Sequence, residues 1–154
     1  MNDLSKTTRD KVSKVLAQSL ADSIDLEYQF KQAHWNVRGG SFIALHELFD
    51  KLAGEISGNV DELAERLVQL GHQARGTVQE AAAKSALPAF PLGINAQEDI
   101  LAALVKSVGA YAASVRKAID TTDAAGDKDT ADLFTGISRG ADKMLWFLSA
   151  HQAK

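Results

Sequence analysis

Pro88 and Pro91 are the only two prolines in the chain, and they sit close together between two long stretches whose apolar residues recur every three or four positions. A proline removes a backbone donor and blocks a helix interior, so a chain with so few of them is open to long helices on both sides of one break. Val12, Val15, Leu16, Leu20 and Ile24 predict a first helix from Thr7 or Thr8 to Ala33, closed by His34-Trp35-Asn36-Val37-Arg38-Gly39-Gly40, whose paired glycines make a turn. Ser41 is the expected N-cap of a second helix that reaches Leu70 and stops at Gly71. A third starts at Asn95 or Ala96 and runs through Ile119, and Gly126-Asp127 turns into a fourth carrying Leu133, Phe134, Ile137, Met144, Leu145 and Leu148.

The connection from Gly71 to Asn95 is too long for a helix hairpin and has room for a short helix over Gln79 to Ser85. The expected fold is therefore all-α: a four-helix bundle with one long crossover carrying a short extra helix, the connectivity of ferritin-like bundles. With 154 residues, 45% of them hydrophobic, the chain suits one domain over 1–154, with 1–6 as a short N-terminal tail.

The polar face of the second helix carries the chemistry. At 100° per residue, with His46 at zero, Asp50 falls near ~40°, Asp61 near ~60° and Glu65 near ~100°, all on one stripe. Phe42, Leu45, Leu48, Phe49, Leu52, Ile56, Val60, Leu63, Leu67 and Leu70 fall between about 200° and 320°, on the core side. The four polar residues thus face away from the chain's own core. Along the axis, Asp50 and Asp61 are roughly 16 Å apart, too far for one ion. A second copy crossing antiparallel about a two-fold axis brings the His46/Asp50 end of one chain to the Asp61/Glu65 end of the other, making two identical composite sites. Gly54, Ser57 and Gly58 lie on the same stripe near its midpoint, where helix glycines cost about 0.5 to 1 kcal/mol each against alanine and close backbone approach is a compensation.

With no cysteine, the available ligands are imidazole and carboxylate, a set that suits iron, manganese or zinc. A di-iron centre inside a bundle needs Glu-x-x-His motifs on facing helices, and the sequence contains none, so the site is expected between subunits. The formal net charge of −3 argues against a generally basic, nucleic-acid-coating surface, and Lys6, Arg9 and Lys11 are offset by Asp3 and Asp10. No stretch has the length of a membrane span or a signal-peptide core, so the expected location is cytoplasmic.

Taken together, His34-Trp35-Asn36-Val37-Arg38-Gly39, Phe42, Leu45-His46-Glu47, Asp50, Asp61-Glu62-Leu63-Ala64-Glu65-Arg66 and Asp142-Lys143-Met144-Leu145-Trp146-Phe147-Leu148 resemble, in residue type and spacing, the Dps family of mini-ferritins, the DNA-binding proteins from starved cells. The resemblance spans nearly the whole chain. It implies a hollow twelve-subunit shell that oxidises Fe(II) with hydrogen peroxide or dioxygen, stores ferric mineral and protects against oxidative stress. It also implies that His34, His46 and Asp50 of one subunit, with Asp61 and Glu65 of its two-fold mate, form the ferroxidase site. Glu65 is then the carboxylate able to reach two ions. Trp35 is either an electron donor beside that site or an aromatic packed at a helix end. Asp120, Asp123, Asp127 and Asp132 make the densest acidic stretch, either a solvated turn or, as in that family, the lining of a pore at a three-fold axis. The sequence departs from the lysine-rich N-terminal tail of the well-known family pattern. DNA binding, as a nucleoid-compacting shell, is the alternative function, and a shell binding Zn(II) without turnover is a third.

Overall fold

The computed structural model describes residues 2–152 and consists of five helices: α1 Lys6–Asn36, α2 Phe42–Gln69, α3 Val78–Lys84, α4 Gln97–Ala124 and α5 Lys128–Ala150. This is the expected four-helix bundle, with α3 as the short helix of the crossover. Of the single domain expected over 1–154, residues 1, 153 and 154 lie outside the described range.

Local chemistry accounts for most helix ends. The Ser5 side chain accepts from Thr8 N at 3.1 Å and starts α1 at Lys6, one residue inside the expected tail. At the other end, α1 runs three residues past Ala33, so His34 and Trp35 stand on the helix and not in a turn after it. Gly71 closes α2 at φ +83°: its N–H bonds Val68 O, and His72 N–H bonds Leu67 O. Gly126 does the same for α4, bonding Asp123 O while Asp127 N–H reaches Thr122 O. Ser41 occupies the N-cap position of α2 without capping through its side chain; instead its N–H donates to Gln97 Oε1. That same Gln97 side chain fills the space a Cβ on Gly39 would need, and Gly39 sits at φ +148°, so glycine is required there.

α1 and α2 form an antiparallel hairpin, as do α4 and α5, and α1 packs against α4. The interior is aliphatic and aromatic: Leu16, Leu20, Leu26, Phe30, Leu45, Phe49, Leu52, Ile56, Leu63, Leu67, Leu104, Val108 and Phe134 are buried. Each such side chain contributes about 1.5–3 kcal/mol by leaving water, which makes this core the main source of stability. α2 keeps the sided character expected of it, with one difference. Phe42 is 43% exposed, because it begins the helix beyond the end of the packed core.

Two of the buried polar residues, Ser23 and Asp22, tie elements of the bundle together. Ser23 Oγ donates to Ser19 O at 2.7 Å, so its contact with Tyr111 Oη, also 2.7 Å, is one in which the tyrosine donates. Asp22 accepts from Ala86 N–H and Gln18 Nε2, fastening the crossover to α1. Burial nonetheless pushes the Asp22 carboxyl above its usual range. No described helix is long and apolar enough to cross a membrane.

Candidate metal centre

His34 near the end of α1 and His46 in the second turn of α2 face each other across the hairpin. Their rings stack with centroids 3.8 Å apart and planes 19° from parallel. His34 Nδ1 lies 2.6 Å from His46 O, and His46 Nδ1 lies 2.8 Å from His34 O. A carbonyl oxygen only accepts, so each ring donates through Nδ1–H, and in the neutral tautomer this selects, the Nε2 lone pair is free. A hydrogen bond on Nδ1 that fixes the ring and leaves Nε2 for the metal is the arrangement metal-ligating histidines use. Local structure explains the arrangement. α1 ends at Asn36, leaving the His34 carbonyl without a helical donor, and His46 supplies one.

Asp50, one turn beyond His46, points to the same side. Its Oδ1 accepts from Lys31 Nζ at 2.6 Å, and that hydrogen bond holds the carboxyl below the usual carboxylate range. Lys31 also lies 5.8 Å from the centroid of the Trp35 ring, an indole 60% exposed. Phe42 packs obliquely on His46 with centroids 5.2 Å apart. Half-buried Glu27 lies on the same face of α1, where burial pushes its carboxyl up, with Ser57 and Lys31 acting in the opposite direction.

Two of these neighbours, Lys31 and Glu27, escaped the reading of the sequence. They precede His34 by three and seven residues, and that helical spacing is the signal that finds them.

Asp61 and Glu65 are exposed farther along α2. The structure groups His34, His46 and Asp50 at one end of the hairpin face and leaves Asp61 and Glu65 at the other, roughly 16 Å along the axis from Asp50 to Asp61. Among the described residues, no three or more His, Cys, Asp or Glu side chains of one chain are placed to hold an ion.

The acidic stretch divides in two. Asp120, Asp123 and Asp132 are exposed, with Asp123 paired to Lys128. Asp127 is 2% exposed and caps α5: its Oδ1 accepts from Thr130 N–H at 3.0 Å and from Arg66 Nη2 at 2.9 Å, and its Oδ2 accepts from Thr130 Oγ1 at 2.6 Å. Its carboxylate is fully engaged, a structural role and not that of a solvated lining. At the N-terminus, Lys6 pairs with Asp10, and Arg9 donates to the carbonyls of Asn2 and Leu4.

A bundle of this connectivity, with a histidine pair and carboxylates on the outer face of its first hairpin, defines a ferritin-like protein. The ferritin-like domain family matches residues 13–154. The DNA protection during starvation protein of Agrobacterium fabrum is 47% identical over 150 residues, covering 97% of this chain and 93% of that protein. Among solved structures, DpsC from Streptomyces coelicolor superposes with a TM-score of 0.95 at 30% identity, covering 100% of this chain and 90% of that one. Mycobacterium smegmatis Dps in its tetragonal form gives 0.94 at 28% identity, covering 98% and 92%. The chain belongs to the Dps family of ferritin-like proteins.

Proposed function

We propose that this protein is a ferroxidase and iron store, and that each oxidation site is built from two chains: His34, His46 and Asp50 of one, Asp61 and Glu65 of the other. The carrying observation is the divided face of the α1–α2 hairpin. One end holds two free Nε2 lone pairs beside a carboxylate, the other holds two exposed carboxylates, and neither end alone is a complete ligand set.

Fe(II) is the substrate. Imidazole nitrogen suits the ferrous ion, and carboxylates stabilise the charge gained as it becomes ferric. A ligand-poor site leaves coordination positions for the oxidant. One hydrogen peroxide takes one electron from each of two Fe(II) ions and, with two protons, leaves as two waters; dioxygen is the other candidate oxidant. The products are ferric ions for a mineral core, held inside a shell that family resemblance makes a dodecamer. Consuming Fe(II) and peroxide together limits hydroxyl radical formation, which fits a cytoplasmic protective role. Zn(II) or Mn(II) can occupy the same ligands without this turnover. Exposed Asp120, Asp123 and Asp132 are the candidates for an acidic entry route, since acidic pores concentrate cations. Trp35, joined to Asp50 through Lys31, is the candidate electron donor.

Peroxide-dependent Fe(II) oxidation, followed by ferric absorbance, tests the ligand set. His46→Ala with Asp61→Ala slows it sharply while helical content stays intact; an unchanged rate rejects these ligands. Co-assembling His46→Ala chains with Asp61→Ala chains tests the division between subunits. A mixed pair carries one site with both losses and one intact site, so random mixing restores about a quarter of the wild-type rate.

The Agrobacterium fabrum relative is a DNA protection during starvation protein, which favours a second reading, a shell that binds DNA. Two of the three N-terminal cations are engaged within the chain, so contact with DNA rests on Lys11 and on multivalency. A gel shift at two salt concentrations measures it, because phosphate contacts weaken steeply with salt.

A further inference from the structure

Two large apolar side chains stand exposed on the otherwise polar stripe of α2: Ile43 at 60% and Val68 at 61%. With His46 at zero they lie near ~60° and ~40°, in the same angular range as Asp50, Asp61 and Glu65. Their spacing is symmetric. Ile43 precedes the point between Glu55 and Ile56 by as many residues as Val68 follows it, and the same point bisects His46 and Glu65, Asp50 and Asp61, and Gly54 and Ser57.

A two-fold axis through that point sets every member of these pairs opposite its counterpart on a second copy. The charges agree with such a register. Lys31, His34 and His46 at one end of the face meet Asp61 and Glu65 at the other. The glycines agree as well. A Cβ on Gly54 or Gly58 meets nothing within 4 Å in its own chain, so their bareness answers no need of the isolated fold. Beside Val68, a shallow cleft of about 390 Å³ lined by Ala64, Glu65, Gln69 and Ala74 is open to receive a side chain.

We propose that, where α2 meets α2 of the two-fold mate, Ile43 of each chain seats against Val68 of the other as an apolar clasp outside each composite metal site. The inference rests on the two-chain reading of that site, whose residue pairs already fix the register, and adds its seal. The clasp lies one helical turn beyond the His46–Glu65 pair, where an apolar contact keeps bulk water from the outer side of the ligands.

The chain has no cysteine, so an introduced pair reports cleanly. Ile43→Cys/Val68→Cys, oxidised as the native assembly, is expected to run largely as a covalent dimer on a non-reducing gel, while each single variant does not. The two positions are separated by most of the length of α2, so the link forms only between chains. Both side chains are exposed, so neither change touches the core; thermal melting of the reduced variant verifies that. Complementation between His46→Ala and Asp61→Ala chains is measured alongside. Rate recovery without the link overturns the clasp and leaves the two-chain site. Failure of both overturns both. The link without recovery upholds the clasp as an interface and rejects the shared site.

Discussion

Lys31 Nζ lies 2.6 Å from Asp50 Oδ1, so the carboxylate nearest the two imidazoles already has a counter-ion before any metal arrives. A cation binding at Asp50 must displace that ammonium or share the carboxylate with it. Lys31→Met removes the competitor and keeps the aliphatic stem. Exposed ion pairs are weak, so Zn(II) affinity measured by titration calorimetry is expected to rise only about two- to fivefold. The proton follows the same logic. Lys31 holds the Asp50 carboxyl below its usual range, so without it that pKa rises and the acid limb of metal binding moves to higher pH. A variant that binds more weakly makes Lys31 a support for the site and not its competitor.

The reciprocal bonds of His34 and His46 fix the tautomer in the metal-free protein. Nitrogen-15 NMR is expected to show Nδ1–H on both neutral rings, with Nε2 unprotonated, and Zn(II) is expected to shift the Nε2 resonances. An Nε2–H signal from either ring removes that residue from the ligand set.

Much of this was legible in the sequence because helical periodicity is a strong signal, and α2 reads as one sided helix from Leu45 to Leu70. The candidate residues stand out for the same reason: His46, Asp50, Asp61 and Glu65 fall on a stripe that the core has no use for. Contacts between segments distant in sequence were not legible. Lys31 reaches Asp50 only because α1 and α2 pair in one register, and no local pattern states that register. Asp127 looks like any other aspartate of an acidic turn until Arg66, far off in sequence, closes over it. Ser41 has the residue type of an N-cap, yet Gln97 at the start of α4 bonds its backbone N–H and its side chain does not cap.

That difference within the acidic turn is measurable. Asp127→Ala removes a helix cap and leaves the Arg66 guanidinium, 13% exposed, without its partner. Breaking a buried pair costs about 3 to 5 kcal/mol, and loss of a cap accompanies it. Asp123→Ala and Asp132→Ala, both at exposed positions, are expected to stay within about 0.5 kcal/mol of wild type in denaturant unfolding. If they also slow iron uptake with the oxidation sites intact, they line the entry route. An Asp127→Ala protein as stable as wild type contradicts the buried pair.

Tyr111 gives the fold an alkaline limit. Burial pushes its phenol from 10.0 to about 12, and the hydroxyl donates to Ser23 inside the bundle. Because the folded-state pKa exceeds the unfolded one, the folded protein retains this proton where the unfolded chain releases it. The contribution is complete below pH 10 and is lost as pH rises toward 12. A shift of that size corresponds to about 2 to 3 kcal/mol. Tyr111→Phe is expected to cost about 1 kcal/mol at neutral pH through the lost hydrogen bond, and to flatten the decline between pH 10 and 12. Urea unfolding at fixed pH values across that window separates the two effects. A wild-type stability as steep as that of the phenylalanine variant places the alkaline sensitivity elsewhere in the molecule.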